Sequence, residues 1–193
     1  MREIVRKLFI DFEKEEKWLN EMSSKGLQFV NYTIGKYVFE HGQKGQYIYR
    51  IELLDNEPTH PESKAYIEFM EESGIQQVGS YYNWVYFRKK AEDGAFDLYT
   101  DYDSKINHYK RIAKLLVPVL ILNLIVGFIN VFYGFLGDIL NLVDHYYGME
   151  RPIFYPSIFI GSVNLLLSIF IVVVSCKYIK QIRRLKKEKQ IYG

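Results

Sequence analysis

The chain is nearly devoid of cysteine, and two long stretches of it carry no charge. A single cysteine, Cys176, excludes an intramolecular disulfide. Asp, Glu, Lys and Arg are absent from 115–137 and from 152–176. Since a helix rises about 1.5 Å per residue, roughly 20 apolar residues cross the hydrocarbon core of a bilayer. We therefore expect transmembrane helices over these two stretches, joined by a loop over 138–151.

The sequence also lacks the motifs of common catalytic and metal sites. It has no Gly-rich phosphate loop, Gly-x-Ser-x-Gly elbow or His-Glu-x-x-His helix. Its scattered histidines have no ligand partner at metal-site spacing, and we expect them at the surface or at an interface: His41, His60, His108 and His145. Glu13, Glu15 and Glu16 alternate with lysines, which is typical of a solvated helix face. The sequence gives no support for enzymatic activity, and we expect no cofactor and no metal.

Basic residues are distributed unevenly around the two apolar stretches. Four lie within the residues 105–114, seven lie within 177–189, and only Arg151 lies between the stretches. By the positive-inside rule, both termini of this multi-pass protein are expected in the cytosol and the loop outside the cell membrane. The chain then divides into a cytosolic domain over 1–101, a juxtamembrane helix over 102–114, the two spans with their loop, and a basic tail over 177–193. The tail is also suited to anionic membrane lipid.

Small and amide-bearing residues recur along one face of each apolar stretch. Their spacing of three and four residues places them on a common helix face: Asn123, Gly127, Asn130 and Gly134 in the first, and Gly161, Asn164 and Ser168 in the second. Small residues let helices approach closely, and amides in lipid seek partners. We expect a packed helix pair or a dimer. A polar path of a transporter is the alternative, although neither stretch holds a titratable group that would mark a proton or ion relay.

The first hundred residues have the pattern of an α+β domain. Helical periodicity begins after Asp11 and again after Thr59, with strand-like segments between and beyond. The order predicts an antiparallel sheet with both helices on one face, related to ferredoxin-like folds. Asp93 and Gly94 predict a hairpin, with a short returning strand over 96–100.

An aromatic run distinguishes the predicted strand over 81–89. Alternation places Tyr82, Trp84 and Tyr86 on one face of it, and Tyr47 and Tyr49 extend the same surface. Since only one sheet face is expected under the helices, we interpret this surface as the contact for a protein partner or a second copy. Half-exposed sheet aromatics and a small-molecule site are the alternatives. Nucleic acid is excluded, because acidic residues are plentiful throughout the domain.

Several short stretches of the domain together carry a family resemblance. They are residues 12–20 (FEKEEKWLN) with Gly26 and Leu27, 37–40 (YVFE), 47–50 (YIYR), 84–90 (WVYFRKK), 99–101 (YTD), and Ser104 with Lys105. In these the chain resembles a bacterial family known as domain of unknown function 2812. The resemblance implies a pair of spans after the domain and a regulatory setting, since such members often occur beside PadR-like transcriptional regulators. It implies no catalytic residue.

These observations favour a non-enzymatic, membrane-anchored regulatory or interaction protein whose cytosolic domain binds a protein partner. Two alternatives stay open at this point. The amide-bearing stripes also suit an accessory subunit of a membrane transporter. The cytosolic sheet also suits a small-molecule sensor.

Overall fold

The computed structural model describes residues 2–99, 101–146 and 155–192. It divides into two compact units, Met1–Arg111 and Ile112–Gly193. The α+β fold class is confirmed for the first unit. In chain order the regular elements are β1 (Arg2–Arg6), α1 (Phe12–Ser24), β2 (Leu27–Thr33), β3 (Lys36–His41), β4 (Tyr47–Leu53), α2 (Pro61–Glu72), β5 (Gln76–Tyr81), β6 (Trp84–Lys90), α3 (Tyr102–Tyr146) and α4 (Tyr155–Tyr192).

Local sequence explains where α1 begins and ends. The Asp11 carboxylate accepts a hydrogen bond from the Glu13 amide at 3.1 Å, which satisfies one of the free donors at the helix start. Two glutamates in the first turn suit the positive end of the helix dipole. Gly26 stops the helix with a φ of 88°, a conformation that residues with a Cβ rarely adopt.

The strands form two three-stranded antiparallel sheets rather than the single sheet expected. Their orders are β1-β3-β2 and β4-β6-β5. β2 and β5 lie side by side, with Gly79 of β5 next to Asn31 and Tyr32 of β2. Each of these two strands has a bulge here, shown by register shifts between Phe29 and Asn31 and between Gln77 and Gly79. A bulge disrupts the local ladder and bends its strand, so the potential six-stranded sheet is divided at this point.

The two helices of the first unit contact opposite faces of β6, which corrects the expectation that they share one face. Val85 and Phe87 pack in an apolar cluster with Ile67 and Met70 of α2. Tyr86 points the other way, and its hydroxyl donates to Glu15 of α1 at 2.7 Å. Because side chains alternate along a strand, both faces of β6 are buried.

A cluster of aromatic rings fills the space between the two sheets and α1. Phe29, Tyr37 and Phe39 come from the first sheet, and Tyr49 and Tyr86 from the second; each is at most 3% exposed. Their ring centroids lie 5.1–6.1 Å apart in tilted and edge-on pairs around Phe29. The Tyr49 hydroxyl also accepts a hydrogen bond from the Phe29 amide at 2.9 Å, beside the bulge in β2. Aromatic packing therefore joins the sheets where the ladder does not.

Two local predictions in this unit are wrong. The predicted strand over 81–89 is interrupted, because Tyr82 and Asn83 form the turn between β5 and β6, with Tyr82 at a φ of 49°. The predicted returning strand over 96–100 is not a strand at 96–99, and Thr100 lies outside the described residues. Phe96 is instead buried with the α2 cluster, so its apolar character reflects core packing rather than strand pairing.

Two helices, α3 and α4, are long and apolar enough to cross a membrane, and their uncharged parts lie in the second unit. α3 continues through Pro118 and beyond 137 to Tyr146, so most of the predicted loop over 138–151 is helical. Residues 147–154 lie outside the described residues. Within this unit Gly127 lies against Asn164 and Leu165, Gly134 against Ile158, and Gly161 against Val131. The glycines allow the two backbones to approach closely.

Candidate functional site

Most of the side chains of the predicted aromatic surface are buried or half-buried. Tyr49 and Tyr86 are 0% and 3% exposed, because each reaches into the core between the sheets. Trp84 is half-buried with its ring 5.9 Å from that of Phe12. Tyr47 is half-buried beneath the Arg88 guanidinium, which lies 4.2 Å from the ring centroid. Tyr82 alone of the five is strongly exposed, at 72%, because it occupies the turn rather than the strand.

The acidic side of α1 packs against the two sheets and is not the solvated face that its sequence predicts. Glu15 is buried, and its Oε1 accepts hydrogen bonds from the hydroxyls of Tyr37 and Tyr86, both at 2.7 Å. Burial raises the pKa of the Glu15 carboxyl, and the two hydroxyls oppose that rise by stabilising the carboxylate. Tyr37 lies on β3 and Tyr86 on β6, so this carboxylate joins α1 to both sheets.

α1 also covers the free edge of β4. The Asn20 side chain accepts from the Tyr49 amide at 2.8 Å and donates to the Tyr49 carbonyl at 3.0 Å. The Glu16 carboxylate accepts from the Ile51 amide at 3.1 Å. These contacts replace the missing neighbour strand, since β4 is at the end of its sheet. They fix Glu16 beside the backbone of β4 and the Arg50 guanidinium, which lies 3.3 Å away.

Next to this edge lies a cavity of about 220 Å³ in the first unit. Its walls come from α1, β4, the segment 97–99 and the start of α3. Three carboxylates and two cations line it together with aromatic and apolar side chains: Phe12, Glu13, Glu16, Arg50, Ile51, Asp97, Leu98, Tyr99, Lys105, His108 and Tyr109. A concave site with a few convergent polar groups is the form that small-molecule sites take.

His108 is the most unusual side chain of this cavity. It is 2% exposed, and neither ring nitrogen has a hydrogen-bond partner within the described part of the chain. Its ring packs against Phe12 at 5.0 Å and Tyr99 at 5.1 Å between centroids. Burial lowers the pKa of the imidazole to about 3, and the charge of Arg111 adds to this effect, so the ring is neutral at physiological pH. A buried polar group without a partner is costly, and this one belongs to a residue that lines a cavity.

Glu16 is the second perturbed group of the cavity. Burial raises its pKa from 4.5 to about 7, against the opposing effects of Arg50 and the Ile51 amide. Its charge therefore changes close to physiological pH. Perturbed groups in a cleft are typical of functional sites. Glu13, one turn earlier on α1, accepts a hydrogen bond from the Tyr109 hydroxyl at 2.7 Å.

The first turns of α3 are held to the second sheet by an ion pair network. Arg111 contacts Glu52 at 3.1 Å and Asp55 at 2.9 Å. The buried Glu52 also accepts from the Tyr66 hydroxyl of α2 at 2.7 Å. These contacts place Lys105, His108 and Tyr109, which precede Arg111 on the helix, against the cavity.

The predicted small-residue stripes lie partly between the two helices of the second unit. Gly127, Gly134, Gly161 and Ser168 are buried there, whereas Asn123, Asn130 and Asn164 are half-buried. Each asparagine donates to a carbonyl four residues earlier on its own helix, at 2.8–3.0 Å. One donor of each amide is thus bonded within its own helix.

Sequence reasoning missed Glu15, Glu16 and His108 as site residues. His108 shares a helix face with Tyr109 and Ile112, and this apolar spacing is a signal of its burial. For the two glutamates no local signal exists. Their tyrosine and backbone partners are distant in sequence, and glutamate is seldom buried.

An α+β domain with a polar cavity is followed by two helices that are long and apolar enough to span a membrane, and this combination defines a two-part class of protein. A family model described as a protein of unknown function, DUF2812, matches residues 11–121. Because this match covers more than half of the 193 residues, the chain belongs to that family. No curated protein and no solved structure matches the chain.

The elevated pKa of Glu16 predicts a pH dependence of stability. A carboxyl with a higher pKa in the folded chain contributes stability that is complete below its unfolded value near 4.5 and is lost as pH rises to about 7. Over this range we expect the free energy of unfolding to fall by about 1–2 kcal/mol relative to Glu16→Gln, allowing for partial solvent screening. Urea unfolding of the full chain in detergent measures this, since both tryptophans, Trp18 and Trp84, lie in the first unit.

Glu21→Gln is the matched control, because Glu21 is exposed on the same helix. It is expected to follow the native chain at every pH. If Glu16→Gln also followed the native chain throughout, Glu16 would not titrate as a buried carboxyl.

Proposed function

We propose that this protein is a non-enzymatic, membrane-anchored regulatory protein whose first unit senses a small ligand. The observation that carries this proposal is the cavity that contains His108, a buried imidazole without a hydrogen-bond partner in the described residues. A ligand that forms a hydrogen bond with this ring would stabilise the folded chain. The ligand sensor, an alternative on sequence grounds, is thus better supported by the geometry than contact with a protein partner.

α3 offers a physical route from ligand to membrane. Its residues 105–109 supply cavity side chains, and the same helix continues without a break into the uncharged stretch 115–137. A ligand that binds one arrangement of this helix better than another shifts the population toward that arrangement. Regulation then follows from the position or order of α3, with no chemical step.

The other two functions have less support. Contact with a protein partner now rests on Tyr82, because Tyr49 and Tyr86 are core residues. The accessory transporter subunit rested on amide-bearing stripes, and those amides bond to their own helices. We retain for the anchor the topology that the basic flanks favour, with both termini in the cytosol and the loop outside.

Ligand binding is tested by thermal unfolding of the full chain in detergent, followed by tryptophan fluorescence, against a library of small metabolites. We expect at least one compound to raise the midpoint and to slow hydrogen exchange over 102–111 of α3, because bound ligand stabilises the native state. Leu98→Trp, which fills the cavity, should abolish both effects. Phe69→Trp, at an exposed position of α2, should preserve them. Stabilisation that persisted in Leu98→Trp, or no stabilisation by any compound, would exclude the cavity as the sensing site.

Topology is tested by fusing a green fluorescent reporter, which folds in the cytosol, to each terminus in turn. Fluorescence is expected from both fusions. A fusion that is expressed at full length but dark at either end would contradict the proposed orientation.

A further inference from the structure

The cavity is lined by more carboxylates than cations. Glu13, Glu16 and Asp97 contribute carboxylates, against the cations of Arg50 and Lys105. Arg50 lies 3.3 Å from Glu16 and also donates to the Tyr49 carbonyl at 3.0 Å, while Lys105 lies 3.7 Å from Asp97. Both cations thus have partners within the protein, and the lining as a whole carries one carboxylate more than it has cations.

The uncharged part of the lining also favours a positively charged ligand. The rings of Phe12, Tyr99 and Tyr109 surround His108, and aromatic faces attract cations. A neutral imidazole offers one nitrogen lone pair as an acceptor, and an ammonium group consists only of donors. The ring of His108 is neutral because burial lowers its pKa to about 3. An acceptor, carboxylates and aromatic faces are the complement of a protonated amine.

We infer that the cavity binds a small organic amine in its protonated form, with the ammonium group directed to His108 and the α1 carboxylates and the apolar body against Phe12 and Leu98. This assignment rests on the proposed sensing function and names its ligand class. The volume of about 220 Å³ is below the range of drug-sized ligands, which favours a compact amine.

Two other ligand classes fit the lining less well. A carboxylate ligand would have to displace Glu16 or Asp97 from its cation, and it would place another acidic group beside the three that already line the cavity. A bare metal ion needs several ligands that converge on one point, and within the ranges that the structure describes no three His, Cys, Asp or Glu side chains do so. A protonated amine brings a positive charge to a lining with one carboxylate more than it has cations, and it does not require either ion pair to break.

The test compares three probes of the same shape and different charge: phenethylamine, phenethyl alcohol and phenylacetate. Calorimetric titration of the full chain in detergent should give a dissociation constant for phenethylamine at least about tenfold lower than for the other two. Glu13→Gln and Glu16→Gln should each weaken the amine about tenfold, whereas Glu21→Gln, exposed on the same helix, should leave it unchanged. Isoamylamine serves as a second amine with a non-aromatic body.

Binding of the amine should also strengthen with pH from about 6 to about 8, because an amine favours ionised Glu16 and itself stays protonated as lysine does. Glu16 faces Glu13 on its own helix, Arg50 on β4, Asp97 on the following segment, and Lys105, His108 and Tyr109 on α3. Burial raises the pKa of Glu16 to about 7, so Glu16→Gln should remove the pH dependence.

The outcomes separate the ligand class from the sensing function. Preference for phenylacetate or phenethyl alcohol, abolished by Leu98→Trp, would overturn the amine assignment and leave the cavity as a ligand site. Failure of both amines to bind would also overturn the assignment, and the metabolite library then decides the sensing function independently. Amine binding that was unaffected by Leu98→Trp would place the amine elsewhere and overturn the assignment.

Discussion

The hydrogen bonds of the Glu15 carboxylate to Tyr37 and Tyr86 hold the first unit together at the point where α1 meets both sheets. A buried carboxylate is costly unless it is bonded, and each hydrogen bond to a charged group contributes about 1.5–3 kcal/mol. The two hydroxyls come from different sheets whose ladders are separated by bulges in β2 and β5. Glu15 and the aromatic rings around Phe29 therefore connect the two sheets, which backbone pairing leaves separate.

The cavity depends on the same constraint. With Glu15 fixed, Glu16 and Asn20 fall along the edge of β4, and Glu13 faces Tyr109 at the start of α3. Arg111 holds that start of α3 to Glu52 and Asp55. A helix placed by one buried carboxylate thus forms one wall of a polar site, and a helix that continues into an apolar stretch forms another wall. This arrangement is the physical basis for proposing a ligand sensor on a membrane anchor.

Local sequence predicted most of the element types, but it did not predict the way in which the elements meet, and the returning strand that it predicted over 96–100 is not a strand at 96–99. α1 begins after Asp11 as expected, and the described parts of the uncharged stretches lie in α3 and α4, because caps and composition act over a few residues. Sheet division depends on bulges and on contacts such as Glu15 with Tyr86, which are 71 residues apart. The alternation of side chains along β6 correctly places Tyr86 and Val85 on opposite faces of the strand. The assumption that only one of these faces is covered led to the wrong prediction that Tyr86 lies on a surface. Glu16 was missed because contacts with residues distant in sequence decide its burial, whereas the apolar spacing around His108 is a local signal.

The most direct test of this account is the free energy of unfolding of Tyr37→Phe and Tyr86→Phe, each compared with Tyr82→Phe, in the full chain in detergent. Each core substitution removes one hydroxyl from Glu15 and is predicted to cost about 1.5–3 kcal/mol, with faster hydrogen exchange throughout α1. Tyr82→Phe, at a side chain 72% exposed, is predicted to change stability by less than about 0.5 kcal/mol. If Tyr86→Phe were as stable as Tyr82→Phe, with α1 equally protected, the Glu15 carboxylate would not be the constraint that holds this domain together.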